Sequence, residues 1–375
     1  MAEKLEFPHH MIREIFEQPR GLHDTIAPRI SLPDGVVQLN EVPISREELR
    51  KLSRINIVAS GTSRHAGMVG QYMIQELAAI PVDVDYASEF EYRNPLIGQS
   101  ELTIVITQSG ETADTGAAQR EAKARGSRTV AISNVAGTTI AREADGAIYT
   151  LAGPEISIAS TKAFTAQMAA LFLFALHLAQ ARETLTPELQ EKYVRELLDL
   201  PGKVKTVLEC APQCEQIAGE FYKVNDFLFL GRAIHYPVAM DGALKLKEVS
   251  YVHAEGYPTG ETKHGPNALI DEHLPVVIIA TRDTSDSGSA LRYEKTLGNI
   301  AGFRKQGSRV IAIATEGDPE LQQLADHTIF VPQAPELLSP ILEIVPLQLF
   351  AYYMAVKRGL DVDRPRNLVK SVTRE

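Results

Sequence analysis

Residues 102–134, LTIVITQSGETADTGAAQREAKARGSRTVAISN, contain the clearest indication of the fold. This stretch opens with the apolar, β-branched run LTIVIT, passes through the helix-patterned segment TGAAQREAKARG and closes on a second apolar run, RTVAISN. Continuous Val and Ile runs joined by helical crossovers are typical of parallel strands that are buried on both faces. The stretch therefore predicts a β–α–β unit within a parallel sheet covered by helices.

The same order of elements occurs twice along the chain. GSRTVAISN at 126–134 reappears as GSRVIAIAT at 307–315, and the two are followed at the same offset by ADGAIYTL from Ala144 and by ADHTIFVP from Ala325. Similarly, RINIVASGT in the first half corresponds to DFLFLGR in the second, and LTIVITQS to PVVIIATR. Self-similarity of this kind indicates a duplicated unit. We predict an α/β protein with two doubly wound parallel-sheet domains in tandem, with helices on both faces of each sheet.

The domain boundaries follow from these repeats. We predict an N-terminal helical lead-in over residues 1–45, a first domain over 46–195, a second over 205–360 and a C-terminal tail over 361–375. A charged segment holding two prolines, at about 184–204, is expected to connect the domains.

Bulk composition excludes several classes of protein. The chain has 375 residues, 44% of them hydrophobic and 23% charged, with a net charge of −10 and no long basic run. This composition is typical of soluble globular proteins and argues against a nucleic-acid partner. An anionic ligand would need a local cluster of donors set against the overall negative field.

Targeting signals and cysteine usage indicate a cytoplasmic protein without a membrane partner. The N-terminus MAEKLEFPHHM has no apolar core of a leader, and we find no stretch of about 18 apolar residues. The two cysteines, Cys210 and Cys214, form one C-x3-C pair with no nearby His, which is a poor metal site. We expect two thiols beside a helix and no bound metal.

Three polar clusters follow predicted strands of the first half. They are SGTS at 60–63, TQSGET at 107–112 and SIASTKAFT at 157–165. Ligands of open parallel sheets bind beyond the carboxyl ends of strands, and hydroxyls with free N–H groups at a helix start suit a phosphate. The alternative is ordinary helix N-capping by Ser and Thr. Three clusters at one sheet favour a shared anion site that uses neutral donors.

The motifs of the common nucleotide-binding sites do not occur here. SGETADT does not match the phosphate-binding P-loop pattern, and no G-x-G-x-x-G follows a predicted strand. The sequence therefore disfavours ATP and NAD, and we predict that no organic cofactor is needed.

The second half carries titratable groups at helical spacing. Asp241, Lys245 and Glu248 lie at i, i+4 and i+7 of one helix face, and ETKHGP follows at 261–266. A carboxylate, an amine and an imidazole could supply a base, an electrophilic stabiliser and a proton shuttle. The alternative is a surface ladder of salt bridges.

The C-terminal tail RPRNLVKSVTRE, residues 364–375, is unusual for a chain end, which is commonly frayed. Its apolar residues Leu368, Val369 and Val372 surround Lys370. We predict that they pack the tail over the substrate.

At these motifs the chain resembles a known family. SGTS, TQSGETADT, ASTKAFT, ALKLKEVSYVHAE, KHGP and DVDRPRNLVKSVT are together similar to the isomerase half of glutamine–fructose-6-phosphate aminotransferase, the glucosamine-6-phosphate synthase. The resemblance starts near HHMIREIFEQP and covers nearly the whole chain. It implies two sugar isomerase (SIS) domains and a homodimer with shared active sites.

The resemblance also implies which residues bind substrate. The residues that match the family's phosphate loop are Thr107, Gln108, Ser109 and Thr112. The sugar would be lined by Thr62, Ser63 and Ser160.

Catalytic roles are carried over in the same way. Glu248 takes the place of the base that moves a proton between C1 and C2, and Lys245 assists at the oxygen. His264 matches the ring-opening histidine, which the family supplies from the neighbouring subunit. Lys370 matches the lysine that forms a Schiff base with the open-chain ketose, and Arg366 lies in the same closing tail.

The chain departs from the family pattern in four places. Thr107 stands where Ser is usual and keeps the hydroxyl, Asp241 shortens a usual Glu, and Val369 replaces a usual Ala. The family normally begins with a glutaminase domain whose N-terminal cysteine attacks glutamine, whereas residue 2 here is Ala2. We therefore expect no glutamine hydrolysis by that route, with ammonia either free or supplied by a separate glutaminase.

The sequence favours a phosphosugar isomerase that converts fructose 6-phosphate, with ammonia, to glucosamine 6-phosphate, or isomerises it to glucose 6-phosphate. A catabolic amino-sugar-phosphate deaminase or isomerase is the first alternative, because a catalyst accelerates both directions. A non-catalytic sugar-phosphate sensor is the second alternative. It would not need the base, histidine and lysine that this chain retains.

Overall fold

The computed structural model describes residues 7–31 and 35–373. Its strands are β1 (Ile30–Ser31), β2 (Val36–Val37), β3 (Arg54–Ala59), β4 (Val82–Tyr86), β5 (Glu101–Thr107), β6 (Arg128–Ser133), β7 (Gly146–Tyr149), β8 (Asp226–Gly231), β9 (His253–Pro258), β10 (Val276–Ala280), β11 (Val310–Thr315) and β12 (His327–Val331).

Helices separate almost all of these strands. They are α1 (His10–Phe16), α2 (Gln18–Ile26), α3 (Arg46–Lys51), α4 (Gly61–Ala78), α5 (Ala87–Phe90), α6 (Ala113–Ala124), α7 (Thr139–Glu143), α8 (Lys162–Arg182), α9 (Pro187–Val207), α10 (Ala211–Phe221), α11 (His235–Ser250), α12 (Ser287–Lys305), α13 (Pro319–Leu324) and α14 (Ser339–Lys357). Short 3₁₀ turns occur at Ala27–Arg29, Leu208–Cys210, Thr259–His264 and Pro266–Leu269.

The first sheet has five parallel strands in the order β4-β3-β5-β6-β7. The strand runs predicted from the Val and Ile content are buried along almost their whole length, as in β5, where only Glu101 is partly exposed. Strand order reverses between β3 and β5, and ligands of such sheets bind at this switch point. The polar clusters that follow β3 and β5 therefore flank the switch point.

The second sheet repeats that arrangement. Its order is β9-β8-β10-β11-β12, again all parallel, and the corresponding switch point lies between β8 and β10. The prediction of two doubly wound parallel sheets in tandem is confirmed. The two halves of the chain, which have similar sequence patterns, thus also have the same order of strands in their sheets.

The chain divides into two compact units, one built on each sheet. The first-sheet unit contains residues 18–155, 162–201 and 369–375, and the second-sheet unit contains residues 1–17, 156–161 and 202–368. The segment expected to connect the domains is mostly the helix α9, which has Pro201 in its interior.

Among the residues that the structure describes, the two helices α8 and α14 have the length and composition of membrane-spanning segments. In each, 89% of the most apolar window is buried inside the fold, which is the burial of a core helix. Their apolar side chains are therefore covered by packing within the protein.

The short N-terminal helix α1 is tied to the end of the second-sheet unit. The backbone N–H groups of His10 and Met11 each donate to the Asp363 carboxylate at 2.8 Å. The fully buried Glu14 carboxylate accepts from the backbone N–H of Ile156 at 2.5 Å and from that of Ser157. These bonds join parts of the chain that are far apart in sequence.

Candidate active site

The loop after β5 is a compact turn built on hydroxyl groups. Gly110 adopts a left-handed conformation, with φ of 72°, and a Cβ there would overlap the Thr138 side chain. Only glycine fits both requirements. The turn is further fixed because the backbone N–H of Gly110 donates to Thr107 Oγ1 at 3.1 Å.

The hydroxyls of this loop bond to one another rather than capping the helix that follows. Thr112 Oγ1 lies 3.2 Å from Thr107 Oγ1 and 3.4 Å from Ser109 Oγ. Thr112 occupies the N-cap position of α6, yet its side chain makes no capping hydrogen bond. Ordinary N-capping therefore does not explain this residue. Clustered hydroxyls that can rotate toward a ligand suit a phosphate group.

The acidic residue of the loop is directed away from the hydroxyl cluster. Glu111 is exposed, and its Oε1 accepts from the backbone N–H of Thr139, the first residue of α7, at 2.8 Å. That hydrogen bond holds the pKa of Glu111 below its ordinary value. The carboxylate is thus engaged with a neighbouring helix start, where its charge is favourable.

The cluster after β3 contributes a second set of hydroxyls to the first-sheet unit. Thr62 is buried and Ser63 is half-buried in the first turn of α4. Ser63 Oγ accepts from Gln167 Nε2 of α8 at 3.0 Å, which fixes its orientation. Ser60 is the N-cap residue of α4, and its side chain also makes no capping hydrogen bond.

Gln108 and Ser160 are half-buried. Gln108 lies in the first-sheet unit with the rest of its loop. Ser160 belongs to the second-sheet unit, through the short segment 156–161.

The predicted catalytic face of α11 is buried. Asp241 and Lys245 are fully buried, and Lys245 Nζ forms an ion pair with Glu248 Oε2 at 2.5 Å. The Glu248 side chain is 21% exposed, so one end of this pair is accessible. A surface ladder of salt bridges does not describe these residues. A carboxylate held beside a buried ammonium and open to solvent can accept a proton from a bound substrate.

His264 ends the 3₁₀ turn that follows β9. It is exposed, and the next residue, Gly265, has φ of 151°, which favours glycine. An exposed imidazole on a turn is available to a second molecule.

The tail places Lys370 against a buried acid of the first-sheet unit. Lys370 Nζ donates to Glu155 Oε2 at 2.6 Å, and the Glu155 side chain is fully buried. The other Glu155 oxygen accepts from the backbone N–H of Ala163, near the start of α8, at 3.1 Å. The tail is also held at Val372, whose carbonyl accepts from the backbone N–H of Ala113 of α6 at 3.0 Å.

Arg366 docks on the end of α11 in the second-sheet unit. Its backbone N–H donates to Tyr251 Oη at 2.8 Å, and its guanidinium lies 4.2 Å from the centroid of the same ring. Tyr251 is the left-handed C-cap of α11, with φ of 59°.

The apolar residues of the tail do not pack against the described part of the chain, and their packing over a substrate stays a prediction. Leu368, Val369 and Val372 are 40%, 65% and 49% exposed. Polar contacts hold the tail instead, because Lys370 and the Val372 carbonyl each find a partner.

Two residues that form hydrogen bonds with candidate site residues were not identified from the sequence: Glu155, which binds Lys370, and Gln167, which binds Ser63. Glu155 lies in a loop, AGPEIS, that matches no general motif, so its pairing with Lys370 could not be read from spacing. Gln167 offers a signal in retrospect. It is a buried amide within the apolar run of α8, and such a group needs a specific partner.

The switch point of the second sheet is occupied by the protein's own charged groups. His235 is buried, with Nε2 2.7 Å from Glu336 Oε1 and Nδ1 2.9 Å from Glu343 Oε1. Further donors to the two carboxylates are the Thr281 and Ser289 hydroxyls and the Arg292 guanidinium. Where the first sheet presents a cluster of hydroxyls, the second thus presents a network of hydrogen bonds and ion pairs.

Neither cysteine is in a disulfide. Cys210 Sγ and Cys214 Sγ are 3.6 Å apart, and the neighbouring thiol together with burial raises the pKa of Cys214. Within the described residues, no three His, Cys, Asp or Glu side chains are grouped as metal ligands.

Comparison of the sequence with known proteins shows the family to which this chain belongs. The model of the SIS domain matches residues 48–177 and 220–358. The chain is 50% identical over 373 residues to glutamine–fructose-6-phosphate aminotransferase [isomerizing] of Chlorobaculum tepidum, covering all of this chain and 59% of that relative. It therefore spans about 60% of the length of the curated relatives that it matches.

Solved structures agree with this match. The C-terminal domain of glucosamine-fructose-6-phosphate aminotransferase from Francisella tularensis superposes with a TM-score of 0.89 at 36% identity, over 97% of this chain and all of that one. Glucosamine-6-phosphate deaminase from Thermotoga maritima superposes with a TM-score of 0.75 at 22% identity, over 97% and 99% of the two chains. The second likeness is one of fold alone.

Proposed function

Because the chain belongs to the SIS family, and within it to the double-SIS isomerase part of glutamine–fructose-6-phosphate aminotransferases, we propose that it is a hexose 6-phosphate isomerase of the glucosamine-6-phosphate synthase type. The substrate would be fructose 6-phosphate. With ammonia the product would be glucosamine 6-phosphate, and without it glucose 6-phosphate. The observation that carries the proposal is the Lys245–Glu248 pair on α11, because it offers a base that a sugar-phosphate sensor would not need.

The loop from Thr107 to Thr112 would anchor the phosphate through neutral donors. Its hydroxyls bond only to one another and to backbone N–H groups of the loop in the described structure, so they can turn to a ligand at small cost. Thr62, Ser63, Gln108 and Ser160 are proposed as further sugar contacts.

The proton transfer would proceed in steps that conserve atoms. His264 of the partner subunit would open the sugar ring. The Lys370 amine would add to the C2 ketone and release water, forming an imine that ammonia displaces. Glu248 would take a proton from C1 and return it to C2, with Lys245 stabilising charge at the oxygen. This scheme requires a homodimer, and we propose in addition that the protein is soluble and cytoplasmic.

The direct assay follows fructose 6-phosphate with ammonium in D₂O by NMR. We expect deuterium at the transferred position and formation of glucosamine 6-phosphate. Absence of exchange and of product would reject the proposal. Conversion of glucosamine 6-phosphate only to fructose 6-phosphate and ammonia, with no measurable synthesis at high ammonium, would favour the deaminase alternative.

Ser109→Ala is expected to weaken fructose 6-phosphate binding by about 1.5–3 kcal/mol, since a hydrogen bond to a charged group contributes that much. Titration calorimetry measures the change. Ser88→Ala, at an exposed position of the same unit, is the matched control and should bind like the wild type. Unchanged affinity in the Ser109 variant would mean that this hydroxyl only shapes the turn.

Borohydride added with fructose 6-phosphate is expected to trap a covalent adduct on Lys370, located by mass spectrometry of the digested protein. The lysine is a nucleophile of the kind that forms imines with ketones. Lys370→Arg keeps a cation next to Glu155 but has no amine to form an imine, so it should yield no adduct. An adduct on another lysine, or none on the wild type, would contradict the role of Lys370.

A further inference from the structure

A cavity in the second-sheet unit collects positive charge in an otherwise acidic chain. It has a volume of about 410 Å³ and is lined by Arg232, Lys263 and Lys295 together with amide side chains and glycines. No Asp or Glu is among its lining residues. The chain as a whole is negatively charged, with a net charge of −10, whereas the side chains lining this cavity are positively charged. A local cluster of positive charge is what an anion site needs in a protein with a negative overall potential.

Arg232 is positioned rather than free to move. It directly follows β8, and its Nη2 donates to Asn299 Oδ1 of α12 at 2.9 Å. Its Nε is buried and has no hydrogen-bond partner among the described residues. Burial lowers the pKa of Arg232, although a guanidinium stays protonated at neutral pH. The Arg232 side chain is thus a partly desolvated cation that forms no ion pair with a carboxylate among the described residues.

The two lysines have no counter-ion either. Within residues 7–31 and 35–373, neither Lys263 nor Lys295 forms an ion pair, and both are exposed. Elsewhere in this unit Lys357 does form an ion pair, with Glu215 at 2.7 Å. Unpaired cations gathered at one concave site are available for a ligand.

Helix α12 leaves room for that ligand. Lys295, Gly298, Asn299 and Gly302 follow one another along the helix face that lines the cavity. A Cβ added at Gly298 or Gly302 would meet no atom within 4 Å. Two glycines inside a helix cost stability, and here they keep the floor of the cavity open.

We propose that this cavity is a second anion site, distinct from the hydroxyl loop, that binds a small organic phosphate carrying at least two negative charges. Arg232 would present its planar fork to phosphate oxygens, and Lys263 and Lys295 would add point charges from the rim. The cavity falls in the size range of small-molecule sites, and its amides at Asn267 and Gln306 add hydrogen-bonding groups.

The test uses inorganic pyrophosphate as the probe and calorimetry as the readout. The wild-type protein should bind it, and Gly298→Glu should abolish that binding by placing a carboxylate in the cavity without a steric clash. Gly298→Gln, of nearly the same size, should retain binding, and Lys295→Gln should weaken it at least tenfold. Lys305→Gln, on the same helix but outside the lining, is the charge control.

A further arm separates this site from the proposed sugar site. Ser109→Ala should leave pyrophosphate binding intact, whereas Gly298→Glu should leave fructose 6-phosphate turnover intact. No pyrophosphate binding to the wild type at millimolar concentration would overturn the proposal. So would equal binding by Gly298→Glu and Gly298→Gln, or loss of binding in Ser109→Ala.

Discussion

Glu248→Gln is expected to slow the C1–C2 proton transfer by about 10²–10⁴-fold, the usual contribution of a positioned general base. The amide matches the carboxylate in size but cannot accept the proton. The amide oxygen can still accept a hydrogen bond from the buried Lys245 ammonium that pairs with Glu248, so we expect the fold and the phosphate affinity to remain. The measurement is the exchange of the C1 proton of fructose 6-phosphate with D₂O, followed by NMR.

The control for this experiment is Glu209→Gln, which removes an exposed carboxylate elsewhere in the same unit. It should exchange like the wild type. Circular dichroism and fructose 6-phosphate affinity show whether the Glu248 variant is intact. An intact variant that exchanges at the wild-type rate would show that another group is the base.

His235→Ala is expected to lower the free energy of unfolding of the second-sheet unit by about 3–5 kcal/mol, because it breaks a buried charge network and leaves carboxylates without their partner. Glu343 is fully buried and Glu336 is 8% exposed, so water cannot replace the imidazole. Urea unfolding, followed by the fluorescence of a label in this unit, measures the loss.

His253→Ala is the matched control. His253 is 72% exposed and pairs with an exposed Asp226, so its loss should change stability by no more than about 0.5 kcal/mol. Equal behaviour of the two alanine variants would mean that the ionic network contributes nothing to stability. His235→Gln, whose amide NH2 group can still donate to a carboxylate, should fall between them.

The two sheets could be predicted because the sequence pattern of a buried parallel strand lies within the strand itself. A buried parallel strand is a continuous run of Val and Ile, and the runs in β5 and β11 are long enough to be read without any partner. Because the sequence of the first half is repeated in the second half, the second sheet could be predicted from the first. The loop at Thr107–Thr112 was also visible, since the polar cluster directly follows such a run.

The features that could not be predicted from the sequence depend on contacts between residues that are far apart in the chain. The pairing of Lys370 with Glu155 joins positions 215 residues apart. The tail was predicted to dock through Leu368, Val369 and Val372, yet an apolar side chain near a chain end carries no information about which surface it meets. The closed network around His235 was missed for the same reason, because its carboxylates come from α14 and the segment before it.

The attachment of α1 to Asp363 bears on the order in which the protein folds during synthesis. The hydrogen bond to His10 spans 353 residues, so at about 5–20 residues per second the helix leaves the ribosome about 20–70 s before its cap is made. A helix of 7 residues is not stable alone in water. By then residues 18–155 and 162–201 of the first-sheet unit are already out. Among the described residues, α1 is therefore synthesised long before the carboxylate that accepts from its first N–H groups, and we expect it to fold only after Asp363 has been made.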